Sequence, residues 1–127
     1  MKKILTAIFA LAVLAGCKKG TTITYRVINN SGEQITFTSY YDYSSMGSNS
    51  TIVNAGDTRD ILILGKADGN FETGYRAGQD IDSIVGLSYT NKKVTKNLTD
   101  AGAWNKSSSK KQHLHTFVTE ITAKDLK

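Results

Sequence analysis

The sequence predicts an all-β fold: a single antiparallel β-sandwich of about seven strands behind a cleaved N-terminal signal helix. Three observations predict it. Apolar and polar residues alternate with period two in short segments rich in Val, Ile, Thr and Tyr, as half-buried strands do. Clusters of Asn, Gly, Ser and Asp punctuate those segments. Beyond residue 16 no segment carries a convincing helical period, and no internal repeat is present.

The strands follow in order. Residues 22–29 place Ile23, Tyr25 and Val27 on one face and Thr24 and Arg26 on the other. After the turn signal Asn29-Asn30-Ser31-Gly32, residues 33–41 alternate again through Ile35, Phe37 and Ser39; the two segments are expected to pair as a hairpin. Residues 42–50 read as a polar loop and residues 51–53 as a short strand. Asn54-Ala55-Gly56-Asp57 marks a turn. Residues 58–64 form a fourth strand whose apolar run Ile61-Leu62-Ile63-Leu64 suggests burial on both faces.

Residues 66–80 hold Gly69, Gly74 and Gly78 and have no clear period, which reads as a long loop of the kind where function or disorder sits. Residues 81–89 form a strand through Ile84, Val85, Leu87 and Tyr89. Residues 92–98 read as a weak sixth strand, 99–111 as a polar loop around Trp104, and 112–122 as the last strand. In that last strand His113, His115, Phe117, Thr119 and Ile121 share a face. Residues 123–127 read as a short polar tail.

The first residues answer to a different chemistry. Lys2 and Lys3 form a positive n-region, residues 4–13 an apolar run broken only by Thr6, and Leu14-Ala15-Gly16 supplies small residues before Cys17. This is the layout of a secretory signal, and the run is shorter than the roughly 20 residues that span a bilayer. The expected organisation is a signal peptide over 1–16, a lipidated N-terminus and linker over 17–21, and the β-sandwich over 22–127.

Leu14-Ala15-Gly16-Cys17 resembles the lipobox of bacterial prolipoproteins. That resemblance implies a diacylglyceryl group on the Cys17 thiol, cleavage before Cys17 and an acyl chain on the new amino group. It implies no other cofactor. One chain holds weakly, whereas two or three anchor stably. Lys18, where some bacteria place an inner-membrane retention aspartate, favours the outer membrane, on its periplasmic face or at the cell surface. The mature layout also resembles small, uncharacterised envelope lipoproteins with an immunoglobulin-like β domain, through Ile23-Thr24-Tyr25-Arg26-Val27 and the closing Phe117-Val118-Thr119-Glu120-Ile121-Thr122. That likeness implies a fold and no activity.

Cleavage of residues 1–16 from the 127 leaves 111 residues, and removal of Lys2 and Lys3 lowers the formal charge from +5 to +3. One core of its own is within reach of that length. A charge of this size demands no polyanionic partner, and no nucleic-acid motif accompanies it. Cys17 is the only cysteine, so once acylated it leaves no thiol for an intramolecular disulfide.

Candidate sites are few. No Gly-x-Ser-x-Gly elbow is present, so a catalytic role is not expected. His113 and His115, two apart on a strand, could give two imidazoles to a metal, with Asp60, Asp80 or Asp82 as further ligands, but they read more simply as ordinary half-exposed strand residues, and no metal site is expected. Asp68, Asn70 and Glu72 place oxygen side chains at alternate loop positions, a weak calcium pattern that an Asp-Gly-Asn turn also explains. Lys92, Lys93, Lys96, Lys106, Lys110 and Lys111 make a basic stretch that suits anionic headgroups or charged protection of edge strands.

Phe71, Tyr75, Arg76 and Trp104 are the expected contact patch for a protein or glycan, since aromatic faces bury area at small entropy cost. The competing reading has Trp104 folded back as a plug in the open end of the sandwich. The expected function is a non-catalytic, lipid-anchored envelope module that binds a protein or a glycan. The alternative is an inhibitor of an envelope-directed hydrolase such as a lysozyme.

Overall fold

The computed structural model describes residues 20–41, 47–66 and 71–127. Cys17, the leader, Asp68 and Asn70 lie outside these residues. Two sheets form a sandwich. The larger has the order β4-β1-β7-β6 and the smaller β3-β2-β5. The strands are β1 Thr21–Asn30, β2 Ile35–Tyr41, β3 Gly47–Val53, β4 Thr58–Lys66, β5 Ile81–Ser88, β6 Asn105–Ser109 and β7 Leu114–Thr122.

Alternation sets the core. Ile23, Tyr25 and Val27 of β1 are fully buried, as are Ile35 and Phe37 of β2 and Val53 of β3. In β7 the same parity buries His115, Phe117, Thr119 and Ile121. The sandwich and its strand count agree with the sequence reading. Its pairing is less uniform, because β1 and β7 run parallel, in unbroken register from Thr22↔Leu114 to Asn30↔Thr122. All other strand pairs are antiparallel.

Several element assignments differ from expectation. β1 and β2 do not form a hairpin: β1 pairs with β4 and β7, β2 with β3 and β5. Period two marks a buried face but does not say whether the next strand lies beside it or across the core. The link between the two sheets is Asn29. Its side-chain amide donates to the carbonyls of Glu33 at 2.7 Å and Val53 at 2.9 Å. Its Oδ1 accepts from the Ser31 N–H and hydroxyl. A fully buried amide with all these bonds made holds the chain where it steps from one sheet to the other.

The run Ile61–Leu64 is not buried on both faces. A β-bulge between the pairs Tyr25↔Leu62 and Arg26↔Asp60 leaves Ile61 as the extra residue. The bulge lets the neighbours Ile61 and Leu62 both turn inward, while Ile63 is 60% exposed. The Ile61 carbonyl instead accepts from Asn49 Nδ2 of β3 at 2.7 Å, which ties the two sheets along this side.

Residues 92–98 are not a strand. They make isolated bridges, Leu87↔Lys93 and Val94↔Leu126, and Val94 lies against the Gly86 backbone, where a Cβ would stand 2.5 Å from Val94 Cγ2 and 2.9 Å from Phe37. The sixth strand is Asn105–Ser109, inside the stretch expected to be loop; its polar sequence suits a short exposed edge. β3 begins at Gly47, earlier than expected. The C-terminal residues are not a loose tail: Leu126 joins the core, and Lys127 and Lys93 exchange backbone bonds at 2.7 and 3.1 Å.

Replacement of Asn29 by Ala removes the amide donor from the Val53 and Glu33 carbonyls and the acceptor from the Ser31 N–H, and leaves the Ser31 hydroxyl as the Glu33 carbonyl's remaining side-chain donor. At roughly 1–3 kcal/mol per unsatisfied buried group, Asn29→Ala is expected to destabilise the fold by about 3 kcal/mol or more in urea titrations followed by Trp104 fluorescence. Asn30→Ala, which removes only an exposed bond to Glu120, should cost less than about 1 kcal/mol.

Candidate functional site

The smaller sheet has three strands and the larger four. Residues 71–80 cover the inward side chains of β7. Phe71 stacks on His115 with centroids 4.6 Å apart, and Tyr75 stacks on it at 5.8 Å. Tyr75 also meets Phe117 at 6.0 Å. Phe117 stacks on Tyr25 at 5.2 Å, and Tyr25 meets Trp104 edge-on at 5.1 Å. A continuous column of rings therefore runs from Trp104 to Phe71, in the tilted and offset geometries that aromatic quadrupoles favour.

Polar bonds lock this segment onto the sheet. The Tyr25 hydroxyl accepts from the Gly78 N–H at 3.0 Å. Gly78 has φ +82°, and a Cβ there would fall 2.1 Å from the Thr99 carbonyl oxygen, so only glycine fits. Burial pushes the Tyr25 hydroxyl pKa up, partly offset by the Gly78 N–H. Burial likewise raises that of Tyr75, with the Tyr25 hydroxyl and the Asp80 carboxylate adding to it. Lys66 reaches Glu72 and Asp80, each at 3.1 Å, and lies over the Tyr75 ring at 5.0 Å. Burial opposes its charge, but the two carboxylates prevail and raise its pKa.

His115 is fully buried and both ring nitrogens are engaged. Nε2 lies 2.6 Å from the Glu72 carbonyl and Nδ1 2.7 Å from the Ser108 hydroxyl. A carbonyl only accepts, so Nε2 carries the proton and Nδ1 accepts from Ser108. Burial holds the imidazole pKa down; the Glu72 carbonyl pulls it the other way and Lys106 adds to the depression. A base that resists taking a proton in this way is poorly placed to activate Ser108.

The strand placement on which the candidate metal pair rests is not found. His113 has φ +52° and precedes β7, which starts at Leu114, so the two imidazoles do not share a strand face. Asp60 pairs with Arg26 at 2.7 Å and Asp80 with Lys66. Among the described residues no group of three His, Cys, Asp or Glu converges as metal ligands. Asp82 is exposed on β5. Of the calcium pattern only Glu72 is described, and it is bonded to Lys66 and Gln79; those two hold its pKa low, Gln79 more than Lys66.

Of the expected contact patch, Tyr75, Arg76 and Trp104 line one open cleft of about 440 Å³, together with Ala101, Lys106 and Phe117. Phe71 stands apart from it, against His115 and His113. Tyr75 and Trp104 are 1% and 7% exposed. Trp104 Nε1 donates to the Leu98 carbonyl at 3.0 Å, so the indole is part of the core as well as a wall of the cleft. Arg76 is exposed at the rim. Lys106 Nζ donates to the carbonyls of Tyr75 at 2.6 Å and Thr73 at 3.2 Å, which fixes the cleft edge to β6. Sequence reasoning missed Tyr25, Gly78 and Ser108, since nothing in their neighbourhood marks a long-range partner.

Residues 1–17 match the family model for the prokaryotic membrane lipoprotein lipid attachment site. The match supports a lipoprotein anchored to a membrane of the cell envelope through Cys17. No curated protein and no solved structure matches the chain.

Two outcomes follow from this geometry. Gly78→Ala, strained by φ and by contact with Thr99, is expected to cost about 2 kcal/mol or more and to shift Trp104 emission to the red, because the backbone must move off Thr99 and draw the residue 78 N–H away from the Tyr25 hydroxyl. His115 has a folded pKa below its unfolded value near 6.5. The unfolded chain then binds more protons as pH falls through that value. The associated stability is complete above it and is lost as pH falls toward the folded pKa. Melting temperatures should therefore drop between about pH 6.5 and pH 5, above the range of the carboxylates, and His115→Gln should flatten the slope in that window.

Proposed function

We propose that the protein is a non-catalytic, lipid-anchored envelope module that binds an envelope protein through the cleft between Arg76 and Trp104. The observation that carries the reading is the convergence of Tyr75, Arg76 and Trp104 on one cleft of a domain whose leader ends in a lipid attachment site. Its floor is aromatic and its rim cationic, a combination enriched at protein contacts.

A glycan stacks on an open aromatic face, whereas Trp104 and Tyr75 are almost wholly covered; the cleft suits an inserted side chain with an acidic neighbour. Support for binding over catalysis comes from His115, whose nitrogens are spent on Glu72 and Ser108. Lys18 directly after Cys17 supports the outer membrane as the anchoring membrane.

A photo-crosslinking residue at Ala101, on the cleft wall, tests this in the native envelope. The expected result is one defined protein adduct that disappears with Arg76→Glu, and none from the same residue at Ala55 in the turn before β4. An adduct indifferent to Arg76→Glu, or one made of glycan, overturns the reading.

A further inference from the structure

The topology fixes which end of the sandwich faces the tether. β1 starts at Thr21, β4 ends at Lys66 beside it, and β7 starts at Leu114 against Thr22. The Thr22 N–H donates to the His113 carbonyl at 2.8 Å. The four-residue turn between β6 and β7, residues 110–113, is thus bonded directly to the first strand. Four peptide steps separate Cys17 from Thr21, a reach of at most about 14 Å.

That turn carries Lys110 and Lys111, both exposed, and neither takes part in an ion pair among the described residues. It is held in shape by the His113 N–H on the Lys110 carbonyl and the Gln112 N–H on the Ser109 hydroxyl. The tether adds Lys18 and Lys19. At the same end Glu72 and Asp80 are already paired with Lys66 and the exposed Asp82 lies on the other sheet, at the start of β5, while Asp42 and Asp68 fall outside the described residues. The opposite end, at the turns 31–34 and 54–57, lies a full strand length away.

We propose that the β6–β7 turn docks on anionic phospholipid headgroups of the leaflet that holds the Cys17 lipid, through Lys110 and Lys111. The covalent anchor keeps the turn within the roughly 14 Å reach of its tether, less than two Debye lengths of about 8 Å at physiological salt, and each lysine that meets the surface adds to the attraction. The sandwich then stands on this end, and the turns 31–34 and 54–57 point away from the bilayer. The proposal rests on the lipid attachment at Cys17.

The test uses full-length acylated protein in vesicles. With Cys17 acylated, Gln112→Cys or Ala55→Cys supplies one free thiol for a nitroxide, whose collisions with a water-soluble nickel chelate report exposure. In phosphatidylcholine with about 30% phosphatidylglycerol, the label at position 112 is expected to lose about threefold or more of its collision rate relative to pure phosphatidylcholine. The loss should vanish in about 0.5 M salt and in Lys110→Gln/Lys111→Gln, with the label at position 55 unaffected throughout. Equal exposure of position 112 in both vesicles overturns the proposal, as does protection that survives the double substitution. Intact mass of the same sample separates a failed anchor from a failed turn contact.

Discussion

The parallel ladder between β1 and β7 is the constraint on which the rest of the fold depends. It joins the first strand of the domain to the last, so neither can be placed until nearly the whole chain is present. With β4 on its other side, β1 becomes an inner strand, and its inward residues Ile23, Tyr25 and Val27 are buried completely. The ladder also brings His115 and Phe117 alongside Ile23 and Tyr25. Every aromatic contact of the cleft is built outward from that pair of strands. Pairings so distant in sequence are slow to form, because loop-closure entropy must be overcome before any rung repays it.

The segment 71–80 shows how a loop without periodicity acquires a single conformation. Its rings lie on β7 and its backbone is bonded to side chains of three strands. Tyr25 takes Gly78, Lys106 takes Thr73 and Tyr75, and His115 takes Glu72. Buried polar groups satisfied in this way specify position as well as contribute energy. The cleft beside Arg76 is walled by the same bonded segment, and for the partner proposed above such preset walls would lower the ordering cost of binding.

Much of this architecture was legible from residue patterns. The parity of Ile23, Tyr25 and Val27, of Ile35 and Phe37, and of His115, Phe117 and Ile121 matches the buried faces, because one side chain in two must face the core. Partnership was not legible. Residues 29–34 carry turn signals and read as a hairpin, but the same signals serve a crossing between sheets, and only the buried bonds of Asn29 tell the two apart. Asn105–Ser109 has no apolar residue to announce a strand, since both of its faces are largely exposed, whereas residues 92–98 have an apolar sprinkling that serves to cap the edge of β5.

The site was legible in part. Tyr75, Arg76 and Trp104 stand out by residue type and do converge on one cleft. The inward turn of Trp104 was one of the two readings open to it, whereas that of Tyr75 had no signal, and the two histidines do not share a strand because β7 starts at Leu114, after His113 with φ +52°. The central position of β1 has a mechanical consequence. A pull on the membrane anchor enters the domain at the start of that strand and along its axis, where hydrogen-bonded neighbours flank it on both sides. Load of that kind strains both ladders together in shear, instead of peeling one edge rung by rung, so the tethered end is the direction in which the domain resists forced opening best.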